Sequence, residues 1–397
     1  MNQVANIENQ GDVIQAPFGV DVSRGTLNST VSSEWFSRPD DQKFLNLSDL
    51  HDFTKSHADN SQADVVDVKT IEVRADRADP DHLGLILPNQ EIEVKPTNWS
   101  FGQLCSLSKA PAGYLRKLPG QIAAINLQYS VQNLRSELVK TYVTDQGELR
   151  AATGPDYGRI HDYEVVEAVR KIAGNGTGDA RWKVPGQIDW ATSQYNPNVD
   201  ITKDTTTLYA SDRDVFLFLV DDRNPIEIGK LANGDPDYVF RGFYIWNSEV
   251  GSKSFGVACF YLRGVCQNRC LWGVEGFQEL SFRHSKNAPD RFLREIAPAL
   301  RSFSDGSSNK LLEGVTAAKA AVVAKDDDDR SKFLKDRGFS AKAAQNVLTR
   351  VLQEEHKPAE SVWDFVQGIT AVARDEKHQD TRIALERQAG KLLDKVA

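Results

Sequence analysis

The pattern of apolar and polar positions is clearest between residues 205 and 303, where short apolar runs alternate with turn residues. Two runs in TTTLYASDRDVFLFLVDD are separated at residues 211–214, and two in RGFYIWNSEVGSKSFGVACFYLR at residues 247–251. A shorter run at 279–284 leads into a helical pattern that starts at Pro289. Strand-length apolar runs joined by Gly, Asn, Asp and Ser are typical of consecutive hairpins. We therefore predict an antiparallel β-meander of about five strands, followed by a helix.

The rest of the chain is predicted to place helices and smaller hairpins around this meander. Residues 1–31 are rich in Asn, Gln, Gly and Ser without periodicity, so a disordered tail is expected. Upstream of the meander, hairpins are expected near 83–94 and 139–153, and helices near 48–57, 99–132 and 162–173. After a polar joint at 304–309, apolar residues recur at helical spacing. The predicted fold class is α+β: a 32–306 core with its central meander at 205–303, and a partly independent helical region at 307–397.

Polar residues placed just before apolar-periodic runs are expected to cap helices. Ser48 and Asp162 precede two such runs, and the acidic run 326–329 precedes a third. Ser361 has Asp364 three positions later, which is capping-box spacing. These four positions predict four helix starts.

Charge is distributed unevenly along the chain. The net charge is -8, so no attraction of the whole molecule to nucleic acid or anionic membrane is implied. Residues 241–310 reverse the balance, with ten bases against six acids, and aromatic residues lie among those bases. Cations that meet phosphates and flat rings that stack on unpaired bases are what a single-stranded nucleic-acid site needs. The residues predicted to form this site are Arg241, Tyr244, Trp246, Lys253, Arg263, Arg269, Arg283 and Lys286.

A plainer interpretation of the same residues stays open. Aromatic residues are ordinary core residues of a β-sheet, and the bases could be a solvated rim. On that interpretation the aromatic residues pack inside the meander and take no part in binding.

The four cysteines and the acidic run do not predict a metal or cofactor. Cys259, Cys266 and Cys270 cluster at C-x6-C-x3-C, which lacks the paired C-x2-C spacing of a zinc site. The acidic run lacks the alternating ligands and the glycine turn of a calcium loop. We expect structural cysteines, with Cys105 as the fourth, and no metal or other cofactor.

Catalytic candidates are few. His161 with Asp162, and His378 with Asp380, are the His/Asp neighbours that suggest a catalytic role, and Cys266 with His284 is an unsupported nucleophile pair. The chain contains no G-x-S-x-G, H-E-x-x-H, Walker or dinucleotide motif. Whether it is an enzyme is left open, with a non-enzymatic function favoured.

Several strings, taken in order along the chain, resemble the phage/plasmid-like protein family, also called domain of unknown function 932. They are WFSRP at 35–39, PAGYLRKLP at 111–119, Tyr157, NSEVG at 247–251, CQN at 266–268, and the run from Trp363 to Leu393. The resemblance covers residues 32–395, with one departure at Arg269, where a glycine is expected. It implies a mobile-element origin and a bacterial cytoplasm. By analogy of fold alone, a basic, aromatic meander followed by a helix is similar to the core of phage single-strand annealing proteins.

These observations predict a phage- or plasmid-encoded protein that binds single-stranded nucleic acid in recombination or replication and forms homo-oligomers, partly through its C-terminal helices. The alternatives are a protein-interaction factor, such as a host-defence antagonist that uses the acidic N-terminal half, and an enzyme of unrecognised type. No apolar run is long enough to span a bilayer, and the N-terminus lacks the features of a secretory signal. No membrane partner is expected.

Overall fold

The computed structural model describes residues 38–77, 82–135, 137–189, 194–195, 199–231, 234–263, 269–270, 279–376 and 379–394. The predicted tail at 1–31 lies outside these residues. Within them the chain is α+β, with a large antiparallel sheet and a run of helices after it. The predicted fold class is confirmed.

The elements before residue 200 are β1 (Lys43–Phe44), α1 (Leu47–Asp59), β2 (Ser61–Asp67), β3 (Glu72–Ala75), β4 (Leu83–Ile86), β5 (Lys95–Pro96), α2 (Asn98–Leu107), α3 (Ala112–Leu115), α4 (Gly120–Gln132), β6 (Leu138–Thr144), β7 (Glu148–Thr153), α5 (Asp162–Ala173), β8 (Trp182–Lys183), β9 (Ile188–Asp189) and β10 (Gln194–Tyr195). Those after residue 200 are β11 (Leu208–Ala210), β12 (Val215–Asp221), β13 (Ile226–Lys230), β14 (Pro236–Asn247), β15 (Phe255–Arg263), β16 (Arg269–Cys270), β17 (Glu279–Phe282), α6 (Ala288–Asp305), α7 (Asn309–Ala320), α8 (Asp327–Lys335), α9 (Ala341–Glu355), α10 (Val362–Arg374) and α11 (Gln379–Leu393).

The central sheet is built on the predicted meander. Strands β11, β12, β14, β15 and β17 pair with one another in sequence order, all antiparallel. Two short strands extend it: β13 continues the line of β12 along β14, and β16 continues the line of β17 along β15. Strands β1 and β8, from before the meander, pair with β11 and β12. The meander is confirmed, and the sheet is wider than the sequence indicated.

Both faces of this sheet are buried. Along β15, Val257, Cys259 and Tyr261 join the main apolar core, whereas Phe260 and Leu262 join a second, largely aromatic cluster on the opposite face. Successive side chains of a strand point to opposite faces, so burial of both faces requires apolar residues at every position. This explains why β12 and β15 appear in the sequence as continuous apolar runs.

The C-terminal helices share the main core with the central sheet. Leu311 of α7, Val366 of α10 and Leu393 of α11 belong to the same apolar cluster as Leu217 and Phe243 of the sheet. The 307–397 region is helical as predicted, and its apolar residues belong to the main core. The predicted domain boundary near residue 306 stays a prediction.

A second, four-stranded sheet lies in the N-terminal part, in the order β2-β6-β7-β5. It has its own apolar core, to which α2 and α4 contribute residues such as Phe101 and Leu127. The predicted hairpin at 139–153 is the β6–β7 pair. The hairpin predicted at 83–94 is wrong, because β4 pairs with β3. Within residues 83–94 the pairing is the single bridge between Leu85 and Val94.

Two of the four predicted caps are confirmed. Asp326 accepts a hydrogen bond from the backbone N–H of Asp329 (2.8 Å), and Ser361 forms the capping box with Asp364. The other two are wrong. Asn46 caps α1 in place of Ser48, and Asp162 is the first residue of α5, where its carboxylate accepts from the Asn247 side chain (2.7 Å).

Candidate functional site

Three of the eight residues predicted to bind nucleic acid lie inside the protein. Tyr244 is 0% exposed and packs against Trp246 and Phe260, with ring centroids 5.6 and 5.9 Å away. Arg241 is buried and donates a hydrogen bond to the carbonyl of Gly306 (2.8 Å). The plainer interpretation, that meander aromatics are core residues, holds for Tyr244, whose ring has no face open to a nucleic-acid base.

Arg263 is the third buried member of the predicted set. Its guanidinium lies 2.9 Å from the Asp237 carboxylate and also pairs with Glu355. It donates a further hydrogen bond to Gln367 of α10 (3.2 Å). Arg263 therefore joins β15 to the C-terminal helices, and its charge is neutralised by buried ion pairs inside the protein.

The other five predicted residues are placed differently. Trp246 and Lys253 are half-buried, and Arg269 lies in β16, with its side chain outside the described part of the structure. Arg283 and Lys286 are exposed in the segment that joins β17 to α6. The predicted set is thus divided between the core and the surface.

Exposed cations continue from Arg283 and Lys286 along α6. Arg294 and Arg301 are exposed and lie seven residues apart, which is two helical turns on one face. None of these four cations forms an ion pair with another residue that the structure describes. We call Arg283, Lys286, Arg294 and Arg301 the basic strip.

Most of the acids near the basic strip are neutralised by other cations. Glu295 pairs with Arg291 (2.9 Å), and Asp305 lies 3.3 Å from Arg181. Asp290, in the first turn of α6, has no such partner within the described residues. Leu293 is 69% exposed beside the strip and adds apolar surface. The strip is therefore a locally positive surface on an acidic protein.

A second candidate lies where the two sheets meet. The turn between β14 and β15, NSEVG at 247–251, reaches into the four-stranded sheet. Its Val250 carbonyl accepts hydrogen bonds from Trp99 (3.0 Å) and Gln103 (2.8 Å) of α2, and its Ser248 carbonyl accepts one from the Tyr157 hydroxyl (3.0 Å). Donor side chains from outside the central sheet hold both backbone carbonyls, so the NSEVG turn is the main polar connection between the sheets.

Glu249, inside that turn, is the centre of a buried charged group. Its carboxylate lies 2.6 Å from the Arg150 guanidinium and 3.2 Å from Nδ1 of His161. Burial by itself would raise the pKa of Glu249, but the hydrogen bond from His161 and the charge of Arg150 outweigh it and lower the pKa to about 2. Glu249 is therefore ionised and orients the His161 imidazole.

Asp162 is the second buried carboxyl of this group, and it behaves in the opposite way. Burial and the neighbouring charge of Glu249 raise the pKa of Asp162 well above its usual range, despite the hydrogen bond from Asn247. Two carboxyls so close together in a buried site do not ionise equally. Glu249 therefore carries the negative charge of the pair.

A cavity of about 350 Å³ opens beside this buried group. It lies between the end of α1, strands β2 and β6, and the start of α5, and we call it the seam pocket. Its lining includes the polar residues Ser61, Lys140, Tyr142, Arg159, His161 and Tyr163. Its volume is at the lower end of the range for small-molecule sites, about 300–1,000 Å³.

In the structure, the histidines among the catalytic candidates have other partners than their neighbours in the sequence. His161 pairs with Glu249 rather than with its neighbour Asp162. His284 is buried, stacks on Tyr157 (5.0 Å between ring centroids) and donates to the carbonyl of Gly158 (3.2 Å). Burial lowers the pKa of His284 to about 4. Cys266 and His378 lie outside the described residues.

Neither a metal site nor a membrane span is found in the described part of the chain. Among those residues, no group of three or more His, Cys, Asp or Glu side chains is arranged to hold a metal ion. Cys105 and Cys259 are buried free thiols, and the side chains of Cys266 and Cys270 lie outside the described part. No described helix is long and apolar enough to cross a bilayer.

Comparisons with protein-family models, curated proteins and solved structures give no match to this chain. The resemblance to the phage/plasmid-like family stays a prediction.

Reasoning from the sequence named His161 but missed the other residues around the seam pocket. Arg150 and Glu249 lie in two different hairpins, far apart in the chain, and no local pattern joins them. One signal was present: NSEVG places an acidic residue in a turn between two long apolar strands. The sequence indicated the turn but not the second sheet that receives it.

Proposed function

We propose that this protein binds single-stranded nucleic acid through the basic strip, as part of recombination or replication in a phage or plasmid. The observation that carries the proposal is the set of four exposed cations, Arg283, Lys286, Arg294 and Arg301, that have no ion-pair partner among the described residues. Exposed, uncompensated cations are available to phosphates, whereas the buried cations of the meander are not. The mobile-element setting rests on the family resemblance alone.

The chemistry of the strip favours contacts with the nucleic-acid backbone. It contains cations and one exposed leucine, and its nearest aromatic residue, Phe282, is buried under Arg291. The start of α6 adds the positive end of a helix dipole beside Lys286. Binding is therefore expected to be tolerant of sequence and strongly weakened by salt.

The test is fluorescence anisotropy of a labelled single-stranded oligonucleotide over a range of salt concentrations. We expect the variant with Arg283, Lys286, Arg294 and Arg301 all changed to Glu to bind much more weakly than the parent. The slope of log K against log salt should fall by about 0.7 for each phosphate that the variant no longer neutralises. A double-stranded probe in the same assay measures the preference for single strands.

A matched control variant distinguishes the loss of the basic strip from the change in net charge that the four substitutions cause. Lys69, Lys117, Lys230 and Lys342 are exposed and lie elsewhere on the protein. Changing all four to Glu alters the net charge by the same amount, and this variant should retain most of the parent's binding. Equal binding by the parent and the strip variant, with both folded by circular dichroism, would place any nucleic-acid site elsewhere.

Self-association is the second part of the proposal, and α4 supports it. Ile122, Ile125 and Tyr129 are 47%, 69% and 70% exposed at the helical spacing of one face, and α4 contains no charged residue. A face without charge does not repel its own copy, so a second copy of this chain is the occupant we propose. The annealing proposal needs such assembly, because one chain offers a short binding surface.

Light scattering of the full chain, with and without the oligonucleotide, measures this. We expect a mass above that of one chain, and a lower mass for Ile125→Glu. Leu352→Glu, at a position 57% exposed on α9, tests separately whether the C-terminal helices contribute to self-association, as the sequence predicts. A monomer under all conditions would rule out self-association and would favour a protein-interaction function over annealing.

A further inference from the structure

The seam pocket is positively charged on its inner surface. Lys140, Arg159 and His161 line it, and the acidic residue among its lining residues is Asp59. Asp59 is held by Lys55, whose Nζ lies 2.7 Å from its carboxylate. Lys140 and Arg159 therefore determine the sign of the potential inside the cavity.

Arg159 is fixed in place before any ligand arrives. Its guanidinium lies over the Tyr142 ring (3.9 Å to the centroid) and beside the Tyr157 ring (5.5 Å), and Nη1 donates to the Glu249 carbonyl. Its other terminal nitrogen, Nη2, is buried and has no hydrogen-bond partner among the described residues. A buried, unpaired guanidinium N–H is costly.

His161 presents one defined nitrogen to the same space. The ionised Glu249 carboxylate can only accept, so the Nδ1 that lies 3.2 Å away is protonated, and Nε2 is the nitrogen left for a ligand. Tyr163 stacks on the imidazole (5.6 Å between centroids) and limits its rotation. On the far wall, Lys140 Nζ donates to the Tyr157 carbonyl (3.0 Å) and has two further N–H groups.

We propose that the seam pocket binds a phosphate monoester, with the phosphate held by Arg159 and Lys140. A planar guanidinium and an ammonium that line one cavity match a doubly charged phosphate group. At about 350 Å³ the cavity accepts one small molecule or one chain end. Two sources share this chemistry: a free nucleoside monophosphate and the 5′-phosphate of a nucleic-acid strand.

The pocket is a separate site from the basic strip, and the inference does not depend on the strip. The two are nevertheless connected through the backbone. Gly158, next to Arg159, donates its N–H to the carbonyl of His284 (3.2 Å), and Tyr157 stacks on the His284 ring. His284 lies between Arg283 and Lys286 of the strip.

The experiment is isothermal titration calorimetry of the full chain at low salt with adenosine monophosphate, adenosine and inorganic phosphate. We expect adenosine monophosphate to bind with a stoichiometry of one per chain and adenosine not to bind. Lys140→Gln and Arg159→Gln should each weaken binding at least about tenfold, which is the loss of a charged hydrogen bond. The control Lys171→Gln removes an exposed cation of α5 outside the pocket and should have no effect.

The result that would overturn the inference is equal binding of adenosine monophosphate and adenosine, or no binding of the phosphate ligands at all. Unchanged affinity in the folded Lys140→Gln protein would also overturn the inference, and this variant keeps the test valid if Arg159→Gln does not fold.

Anisotropy with a 5′-phosphorylated oligonucleotide and its 5′-hydroxyl counterpart identifies the source of the phosphate. Tighter binding of the phosphorylated strand supports a strand end, and equal binding, with adenosine monophosphate bound, supports the free nucleotide. The variant with all four strip cations changed to Glu should still bind adenosine monophosphate. The pocket can therefore be tested even if the basic strip does not bind nucleic acid.

Discussion

Arg263 and Arg294 come from the same basic stretch of the chain, and the fold uses them in opposite ways. Arg263 is 7% exposed and is surrounded by Asp237, Glu355 and Gln367. Arg294 is exposed on α6 with no ion-pair partner among the residues that the structure describes. The first cation holds a strand against the C-terminal helices, and the second is available to a ligand. A count of bases along a sequence does not distinguish these two uses.

The difference depends on partners that are distant in the chain. Asp237 and Glu355 lie on opposite sides of Arg263 in the sequence, 26 and 92 positions away. A strand residue meets such partners only after the sheet and the helices have packed. An outward-facing position on α6 meets solvent whatever the rest of the chain does. The comparison therefore separates cations that stabilise the fold from cations that can bind phosphate.

The largest expected effect is on the buried member of the pair. Changing Arg263 to Met keeps most of the side-chain volume but leaves the Asp237 carboxylate, 1% exposed, without its cation. Removing one partner of a buried ion pair costs about 3–5 kcal/mol of the free energy of unfolding. Urea denaturation of the parent and the variant measures this loss.

A second substitution tests whether the unpaired carboxylate is the cause. In Arg263→Met with Asp237→Asn, the buried negative charge is gone, and much of the lost stability should return. A loss below about 1 kcal/mol for Arg263→Met alone would show that the pair is not structural, and would weaken the contrast with Arg294.

His284 is an intermediate case, since it lies between two strip residues and is buried without charge. Its pKa is about 4 in the folded protein, below the ordinary histidine value of 6.5 that applies to the unfolded chain. The folded state therefore binds its proton less readily than the unfolded state, and His284 contributes stability above pH 6.5 that is lost as the pH falls through 4. The shift corresponds to about 3 kcal/mol of the free energy of unfolding.

Denaturation from pH 7.5 to pH 4 measures this contribution. The parent should lose stability across that range, and His284→Gln should lose less, because glutamine does not titrate. Parallel pH profiles for the two proteins would show that folding does not lower the pKa of His284.

The smallest expected effect is on the exposed member of the comparison. Arg294→Met and Arg301→Met together should change the free energy of unfolding by less than about 0.5 kcal/mol, as is usual for exposed positions. Thermal denaturation checks this, and the same protein should lose affinity for the oligonucleotide. A large loss of stability would mean that Arg294 and Arg301 stabilise the fold. They would then not differ in role from Arg263.

The sequence was informative where the structure is local. Each hairpin of the meander is specified by two apolar runs and the turn between them, and the capping box at Ser361 involves residues three positions apart. The candidate sites were predictable only in part. Of the predicted nucleic-acid site, Arg283 and Lys286 lie on the surface, whereas the seam pocket joins Asp59, Lys140 and Arg159 from distant parts of the chain. Tyr244 shows the reason for the remaining errors: an aromatic residue in a strand has the same pattern whether its ring is covered or open.

The shared core also constrains how the protein is made. Its members extend from Leu47, before the sheet, to Leu393 in α11. A nascent chain that has completed the meander lacks the part of this core that α10 and α11 contribute, because those helices have not yet left the ribosome. Contacts this distant in sequence form slowly, and exposed apolar surface is prone to aggregation meanwhile. We therefore expect the chain to need chaperone protection during synthesis, and the complete core to form only once α11 has been released.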